Sequence, residues 1–372
     1  MRWCASWNRF EGLRTSVVAL LSMVAFTLPA HAAIEDAKAR SIITAAIGDF
    51  VRPAYADFAR STQELSESVG ALCAQPSQSS LDDARARFID AVGAWSQAEV
   101  IRFGPITAEN RQERILFWPD RRGIGLKQVQ AILASKDETA TDRASLATKS
   151  VAAQGLGALE FVLFGTDAET LTGADGTFRC RYAAAIAANL DGIADDLSTA
   201  WQDTDGISWL WSRFGPDNDR YRNSAEALGE LVDVVVHGLE QVRDVRLNGF
   251  LGTKPEADKP KSAIYWRSGQ TVTSLAGNLS AMRRLMDVSG IDGLVSSEGE
   301  WIPDAVDYEF ANAQAITGPL RDEPIDRLLQ DPAERGSLEF LRIATSSLSG
   351  LVGQRLTGDI GLTVGFSSLD GD

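Results

Sequence analysis

The chain has 372 residues and an acidic composition, with 51 Asp and Glu against 36 Lys and Arg and a formal net charge of −15. Nucleic acids and anionic lipid surfaces attract basic proteins, so this charge excludes both as general partners. An acidic surface is compatible with the attraction of cations, and it also serves solubility alone. The length is sufficient for two domains, each with its own core.

Residues 1–32 have the composition of a secretory signal peptide. Three arginines precede an apolar run over residues 17–28, and Ala30-His31-Ala32 provides a cleavage site of the small-x-small type. The apolar run is too short to span a bilayer comfortably. Cys4 lies before this run rather than at the cleavage site, so no lipid anchor is predicted. We predict cleavage after Ala32 and export, which in a bacterium gives a soluble periplasmic protein.

The remaining chain shows helical hydrophobic periodicity almost throughout. A first helix covers residues 34–50, and Pro53 breaks or restarts it before a second helix that ends near Cys73. Ser79 or Ser80 is a suitable cap for the third helix, which ends near residue 103. Further helices are predicted at about 126–135, 144–164, 179–203 and 221–247.

The strongest linker is the segment 249–262, which combines two glycines and two prolines with several charges. We therefore predict an all-α fold with two helical-bundle domains, at residues 33–248 and 249–372. Further helices are expected in the second domain at about 271–288, 303–317, 324–329 and 334–356. Two short segments of this domain resemble residues 101–105 and 158–162, which favours an internal duplication.

Cys73 and Cys180 are the two cysteines outside the predicted signal peptide. In an oxidising compartment they can pair, and a bridge that closes so long a loop stabilises by about 4–5 kcal/mol in the chain-entropy model. The alternative is that Cys73, at a helix end, is a small buried residue. We favour the disulfide, which would join an early helix to the helix that begins near residue 179.

The segment 154–165 is apolar almost throughout, yet it contains one carboxylate, Glu160. On a helix this carboxylate would be partly buried and would need a partner. Gly155 and Gly157 each cost about 1 kcal/mol of helix propensity relative to Ala, which indicates the close approach of another backbone or of a ligand. Two interpretations follow: a core helix whose Glu meets an Arg, or a functional pocket around Glu160.

Asp120, Arg121 and Arg122 are the best candidates to reach Glu160. They lie in a segment rich in Pro, Gly and charge, which predicts an ordered loop that crosses the bundle. Arg can satisfy a buried carboxylate through two parallel hydrogen bonds. The loop therefore supplies either a structural bridge to Glu160 or part of a ligand site.

Glu99 and Arg267 complete the set of candidate ligand-binding residues. Glu99 either forms a surface pair with Arg102, three residues along the same helix, or faces the helix of Glu160 and lines the pocket. Arg267, which follows an aromatic pair, either reaches back to these acidic groups or belongs to a helix junction plugged by the aromatic residues.

His237 is the one histidine that would remain after signal cleavage. A lone His on an apolar helix is more often packed or hydrogen-bonded than a metal ligand, and a zinc peptidase site draws on several His, Cys or acidic ligands. A serine nucleophile would have to use this same His, and no nucleophile-elbow motif accompanies it. These features favour a protein that is not an enzyme.

The frame Gly155-Leu156-Gly157-Ala158-Leu159-Glu160 resembles the Gly-x-His-x-x-Glu motif of the imelysin family. Gly157 stands where that family has its His, which resembles the imelysin-like branch without the motif histidine. The similarity extends over most of the chain through further motifs, namely Phe103-Gly104-Pro105, Phe117-Trp118-Pro119-Asp120-Arg121-Arg122, Tyr265-Trp266-Arg267-Ser268-Gly269 and the terminal Gly365-Phe366-Ser367-Ser368-Leu369-Asp370-Gly371-Asp372.

The resemblance implies a periplasmic or outer-membrane-associated protein of two helical bundles, in a family linked to iron and also classed among the peptidases. Three functions compete. The first is non-catalytic binding of a ligand or of a cation such as iron, with Glu160 as the candidate metal ligand. The second is a metallopeptidase that uses Glu160. The third is a structural protein that binds an envelope partner and has a vestigial pocket.

Overall fold

The structure is a computed structural model that describes residues 34–362. The predicted signal peptide and the last of the family-like motifs, at residues 365–372, lie outside the described residues. All regular secondary structure in residues 34–362 is helical, which confirms the all-α prediction. Within this range no helix is both long enough and apolar enough to cross a membrane.

The α-helices before the predicted linker are α1 (Asp36–Ala45), α2 (Arg52–Ala74), α3 (Gln78–Ala98), α4 (Arg111–Ile115), α5 (Ile124–Ser135), α6 (Arg143–Ala147), α7 (Leu156–Phe164), α8 (Thr177–Gln202), α9 (Ile207–Ser212) and α10 (Ser224–Glu240). A π-helical segment, Ala46–Val51, joins α1 to α2. Pro53 lies in the first turn of α2, directly after this π-helical segment, so the chain changes helix type before the proline and stays helical through it.

The α-helices in the rest of the chain are α11 (Asn248–Phe250), α12 (Thr271–Ser289), α13 (Trp301–Thr317), α14 (Ile325–Gln330), α15 (Pro332–Gly350) and α16 (Thr357–Asp359). Two more π-helical segments, Gln241–Leu247 and Leu351–Leu356, connect α10 to α11 and α15 to α16. The predicted linker 249–262 begins within α11 and contains two short 3₁₀ turns.

Two predicted boundaries in the first half of the chain were wrong. The cap of α3 is Ser77 rather than Ser79 or Ser80, because its side chain accepts the N–H of Ser80 in a reciprocal capping box. The single helix predicted over 144–164 is divided into α6, a 3₁₀ turn at Val151–Ala153 and α7.

The break before α7 has a steric cause at Gly155. A Cβ atom on Gly155 would lie 2.4 Å from the carbonyl oxygen of Ile115 and 2.6 Å from that of Arg114. The end of α4 therefore crosses the chain at this glycine, and no larger residue fits there without a shift of backbone. Gly155 thus allows the close approach of another backbone, that of the end of α4, rather than of a ligand. This contact determines where α7 begins.

The helices form two groups around one continuous hydrophobic core in residues 34–362. In the first group, α2 packs against α3 and α8, with Phe58 in contact with Trp95 and Tyr55 stacked on Trp201. In the second group, α13 packs against α12 and α15, and α10 packs against α15. Helices from before the linker reach the second group, because α1 contacts α10 and α12, and α3 contacts α12. The division into domains at residue 248 and the internal duplication stay predictions.

The predicted disulfide between Cys73 and Cys180 is confirmed. The two Cα atoms are 5.4 Å apart, and the bridge spans 107 residues of sequence. It joins the end of α2 to the first turn of α8. The two helices that pack most extensively in the first group are therefore also linked covalently.

Asp292, in the 3₁₀ turn Ile291–Leu294, is an unusual acid in the second group of helices. Burial, Asp307 and Asp287 raise its pKa from 3.8 to about 6, and its Oδ1 is buried with no hydrogen-bond partner in residues 34–362. Because the folded-state pKa lies above the ordinary value, the folded protein retains this proton up to about pH 6. Stability therefore falls as the pH rises from the ordinary pKa of Asp to the raised one.

We expect Asp292→Asn to raise the free energy of unfolding by about 1 kcal/mol near pH 7.5 and to change it little near pH 4. The full pKa shift would correspond to about 3 kcal/mol, and screening by solvent reduces this value for a side chain that is only partly buried. Urea unfolding at both pH values measures the difference. Asp219→Asn, at an exposed position, is the control. A variant no more stable than wild type near pH 7.5 would contradict the prediction.

Candidate functional site

Glu160 lies on α7 and is 4% exposed. Its Oε1 atom accepts three hydrogen bonds, from the backbone N–H of Arg267 at 3.0 Å, the backbone N–H of Ser268 at 3.0 Å and the Ser268 hydroxyl at 2.9 Å. Its Oε2 atom has no hydrogen bond within the described chain, and its nearest cation is Arg267, whose Nη1 is 4.0 Å away. One carboxylate oxygen is thus fully used by the protein, and the other is not.

The segment Tyr265–Gly269 is shaped to present these donors. Tyr265 has φ +53° and Gly269 has φ +76°, so both lie in the left-handed region. This conformation is rare for a bulky residue and persists only when the surroundings hold it. The Tyr265 ring, which is 3% exposed, packs edge-on against Phe88. Successive N–H groups then converge on a single oxygen, as in the nests that bind anions.

The charges of Glu160 and Arg267 are partly desolvated. Burial raises the pKa of Glu160, and the hydrogen bonds from Ser268 and the charge of Arg267 oppose this rise. Burial lowers the pKa of Arg267, and the charge of Glu160 opposes this fall. The Arg267 guanidinium lies over the Trp266 ring at 4.4 Å and near the Phe161 ring at 5.3 Å. Trp266 and Phe161 thus support the Arg267 side chain.

Glu160 and Arg267 line a cavity of about 560 Å³, which we call the Glu160 cavity. This volume lies within the range that holds a small organic ligand. The wall contains aromatic side chains from three parts of the chain, namely Phe117, Trp118, Phe161, Tyr265 and Trp266. Residues from both sides of the predicted linker, and from the linker itself, contribute to it.

The structure brings Asp120 and Arg121 to the Glu160 cavity, but Arg122 is exposed and does not line it. The Asp120 carboxylate accepts the backbone N–H groups of Ile124 at 2.7 Å, Gly125 at 2.9 Å and Leu126 at 3.3 Å. It therefore caps the first turn of α5. Neither Arg121 nor Arg122 forms an ion pair with Glu160. The cation nearest to Glu160 is Arg267, which lies in a different part of the chain.

Glu99 is not among the residues that line the Glu160 cavity. Its Oε2 atom pairs with Arg246 at 2.7 Å rather than with Arg102, and its Oε1 atom accepts the side-chain amide of Asn278 at 2.9 Å. The side chains of Glu99 and Arg246 are only 10% and 4% exposed. Arg246 also lies 6.0 Å from the Trp118 ring, which lines the cavity. Glu99 thus belongs to a buried ion pair behind the cavity wall.

The residues present do not fit a metal ion held by the protein alone. Gly157 is exposed at the cavity, and a Cβ atom there would meet nothing within 4 Å, so the position has room for a side chain but supplies no ligand. The carboxylate oxygens of Asp120 and one oxygen of Glu160 are already occupied. Residues 34–362 contain no group of three His, Cys, Asp or Glu that could hold a metal ion.

His237 lies on α10, away from the Glu160 cavity. It lines a separate cavity of about 320 Å³ together with Glu230 and Arg102. Its Nε2 atom is buried and has no hydrogen bond to another described residue. The structure therefore places the one His of the described chain outside the site defined by Glu160.

Sequence reasoning missed four residues of this region. Ser268 donates to Glu160, Lys259 and Lys261 line the cavity, and Arg246 holds Glu99. Ser268 lies in the family-like motif Tyr265–Gly269, so the motif itself could have indicated it. The two lysines lie in the predicted linker, where charged residues indicate a solvated surface rather than the wall of a cavity. Nothing in the sequence pairs Arg246 with a residue 147 positions away.

These features define an all-helical protein in which a buried glutamate, anchored by a distant turn, faces a ligand-sized cavity between helices. The imelysin family model, Peptidase M75, matches residues 51–346, and the chain belongs to this family. A comparison with curated proteins gives no match.

Two solved structures have the same fold. An imelysin-like protein from Psychrobacter arcticum 273-4 is 21% identical with a TM-score of 0.74, and the alignment covers 90% of this chain and 98% of that one. An iron-regulated protein A precursor from Parabacteroides distasonis ATCC 8503 is 14% identical with a TM-score of 0.66, with 89% and 97% covered. At these identities the two structures support the fold alone.

Proposed function

We propose that this imelysin-family protein binds a small ligand in the Glu160 cavity without catalysing a reaction. The single observation that carries the proposal is the cavity itself, with its aromatic wall and a buried carboxylate at its surface. Burying a carboxylate is costly unless the surroundings compensate for it. Here three donors compensate at one oxygen, and the second oxygen remains available to a ligand.

A metallopeptidase is the weaker candidate, although the family is classed among the peptidases. Zinc peptidases hold the metal with three protein ligands and leave a position for water. The position of the motif His is Gly157, which has no side chain to bind a metal, and the cavity carboxylate Asp120 already accepts hydrogen bonds at both oxygens. Glu160 would then be left as a single free oxygen ligand. In residues 34–362 the cavity therefore lacks the ligand set that a metal-activated water requires.

The cellular setting is part of the proposal. The predicted signal peptide supports export to the periplasm, either as a soluble protein or as one peripheral to the outer membrane. The name of the Parabacteroides relative, an iron-regulated protein A precursor, supports a link to iron. With the donors available here, a directly bound iron ion would have Glu160 as its one free carboxylate ligand, so a ligand molecule is the better account of the cavity.

The test compares the mature protein with Glu160→Ala. We expect thermal-shift and calorimetric screens against metal ions and small organic molecules to find ligands that bind wild type and bind the variant at least about tenfold more weakly. The reason is that Ala removes the acceptor of three hydrogen bonds and releases the turn that carries Arg267. Glu298→Ala, at an exposed position outside the cavity, is the matched control and should bind as wild type does.

Two outcomes would count against the proposal. If no molecule or metal in the screen binds wild type, the cavity is vestigial and the interaction-protein interpretation gains. If the wild-type protein cleaves casein, and a chelator or Glu160→Gln stops the cleavage, the peptidase interpretation gains. Glu160→Gln preserves the size of the side chain and an acceptor oxygen, so it separates loss of the charge from loss of the anchored turn.

A further inference from the structure

The charged groups of the Glu160 cavity differ from those of the whole chain. The chain has a net charge of −15. The cavity, in contrast, is lined by four cationic side chains and three acidic ones, namely Arg121, Lys259, Lys261 and Arg267 against Asp120, Glu160 and Asp244. A local excess of positive charge on a strongly acidic protein requires a specific explanation.

The acidic side chains of the cavity already have partners. Asp120 accepts three backbone N–H groups at the start of α5. Asp244 is held by Arg243, at 2.9 Å and 2.5 Å to its two oxygens. Glu160 receives three donors at one oxygen. Of their oxygens, Oε2 of Glu160 is the one that faces a cationic side chain of the cavity, at 4.0 Å from Arg267.

Arg121, Lys259 and Lys261 form no ion pair with an acidic residue of the described chain, and Lys261 lies 5.7 Å from the Trp266 ring. Arg267 is the most informative of the four. Its side chain is only 18% exposed, yet its guanidinium makes no hydrogen bond to any residue in 34–362. Its contact with Glu160, at 4.0 Å, is longer than a hydrogen bond.

A guanidinium has five N–H donors, and leaving them without acceptors in a partly buried position is unfavourable. The Arg267 group is held in place between Trp266 and Phe161, so its orientation is fixed before a ligand arrives. A planar carboxylate matches such a group through two parallel hydrogen bonds. The aromatic wall matches an apolar or aromatic body attached to that carboxylate.

We infer that the Glu160 cavity binds an organic carboxylate with an apolar or aromatic body, whose acidic group is received by Arg267 and attracted by Lys259, Lys261 and Arg121. This inference rests on the proposed function and specifies its ligand class. In this arrangement the Oε1 atom of Glu160 has a positioning role, because it anchors the backbone of Arg267 and Ser268, while its Oε2 atom faces the Arg267 guanidinium at 4.0 Å and is not a ligand for the carboxylate. A negatively charged ligand also explains why the linker contributes two lysines to the wall.

The test uses two pairs of probes that differ only in charge, 2-naphthoate with 2-naphthamide and indole-3-acetate with indole-3-acetamide. Calorimetry on the mature protein should give, for at least one pair, an acid that binds about tenfold or more tightly than its amide. Added NaCl should weaken binding of the acid and leave that of the amide nearly unchanged. Arg267→Gln should reduce the acid-to-amide ratio to about one, and Arg122→Gln, an exposed neighbour outside the cavity, should preserve it.

Several results would overturn the inference. Amides that bind as tightly as the acids would show that charge is not recognised, although the proposed ligand-binding function would stand. An unchanged ratio in Arg267→Gln would remove Arg267 from the site. Absence of binding by all four probes, with metals or cationic molecules binding in the wider screen, would replace the anion with a cation. A wild-type protein that binds nothing at all would overturn the proposed function as well.

Discussion

Replacing Cys73 and Cys180 together with alanine is expected to lower the free energy of unfolding by about 4–5 kcal/mol. The bridge spans 107 residues, and a cross-link over a loop of this length removes much conformational entropy from the unfolded chain. It also joins α2 to α8, whose packing forms the centre of the first group of helices. Urea unfolding followed by circular dichroism measures the change.

The wild-type protein in a reducing agent provides the matched control for this prediction. It should lose the same stability as the double variant, and the double variant should not respond to the reducing agent. Equal unfolding midpoints for oxidised wild type and the variant would contradict the prediction, because the bridge would then contribute nothing to the stability of the fold.

The disulfide also supports the candidate site through Arg179, the residue before Cys180. Arg179 is 7% exposed and donates to the carbonyl oxygens of Val162 at 3.0 Å, Phe161 at 3.2 Å and Thr166 at 2.7 Å. These contacts satisfy the last carbonyls of α7 and place a cation at the negative end of its dipole. Because α7 carries Glu160, loss of the bridge should also weaken ligand binding in the Glu160 cavity.

The fold class and most helices could be predicted because helical periodicity is a local property of the sequence. The prediction failed where tertiary contacts decide the boundary. The predicted helix 144–164 is interrupted before Gly155 because the carbonyls of Arg114 and Ile115 lie against this glycine. The sequence does not indicate which residues of α4 would meet it. The loop that contains Asp120 and most of the segment 249–262 lie between α-helices, because the Pro and Gly residues in them limit helices wherever they occur.

The site was predictable only in part, for a similar reason. Glu160 was evident as a lone carboxylate in an apolar segment, and the Arg267 segment as a family-like motif, because both features are local. Their pairing joins residues 107 apart. Glu99 was misplaced because its partner, Arg246, comes from a helix that only the fold brings near. The sequence spacing favoured Arg102 as the partner of Glu99, but the fold buries Glu99 in an ion pair with Arg246 instead.

Arg246→Met is expected to lower the free energy of unfolding by about 3–5 kcal/mol. Arg246 pairs with Glu99 at 2.7 Å and donates to the Ser274 hydroxyl at 2.9 Å, and it also bonds the side-chain oxygen of Asn278. Removing the cation leaves a buried carboxylate with one amide donor from Asn278. An uncompensated buried charge is far more costly than a lost surface pair. Chemical denaturation near neutral pH measures the loss.

A double-mutant cycle shows whether the cost arises from the stranded charge. Glu99→Leu combined with Arg246→Met should cost much less than Arg246→Met alone, because both charges leave the interior together. Arg60→Met, which removes a guanidinium paired at 3.0 Å with Asp57 on the exposed face of α2, is the matched control and should cost less than about 1 kcal/mol. If the effects of the two single changes simply add, Glu99 and Arg246 are not coupled. If they do not, the ion pair behind Trp118 is a unit that holds α3, α12 and the wall of the Glu160 cavity in one arrangement.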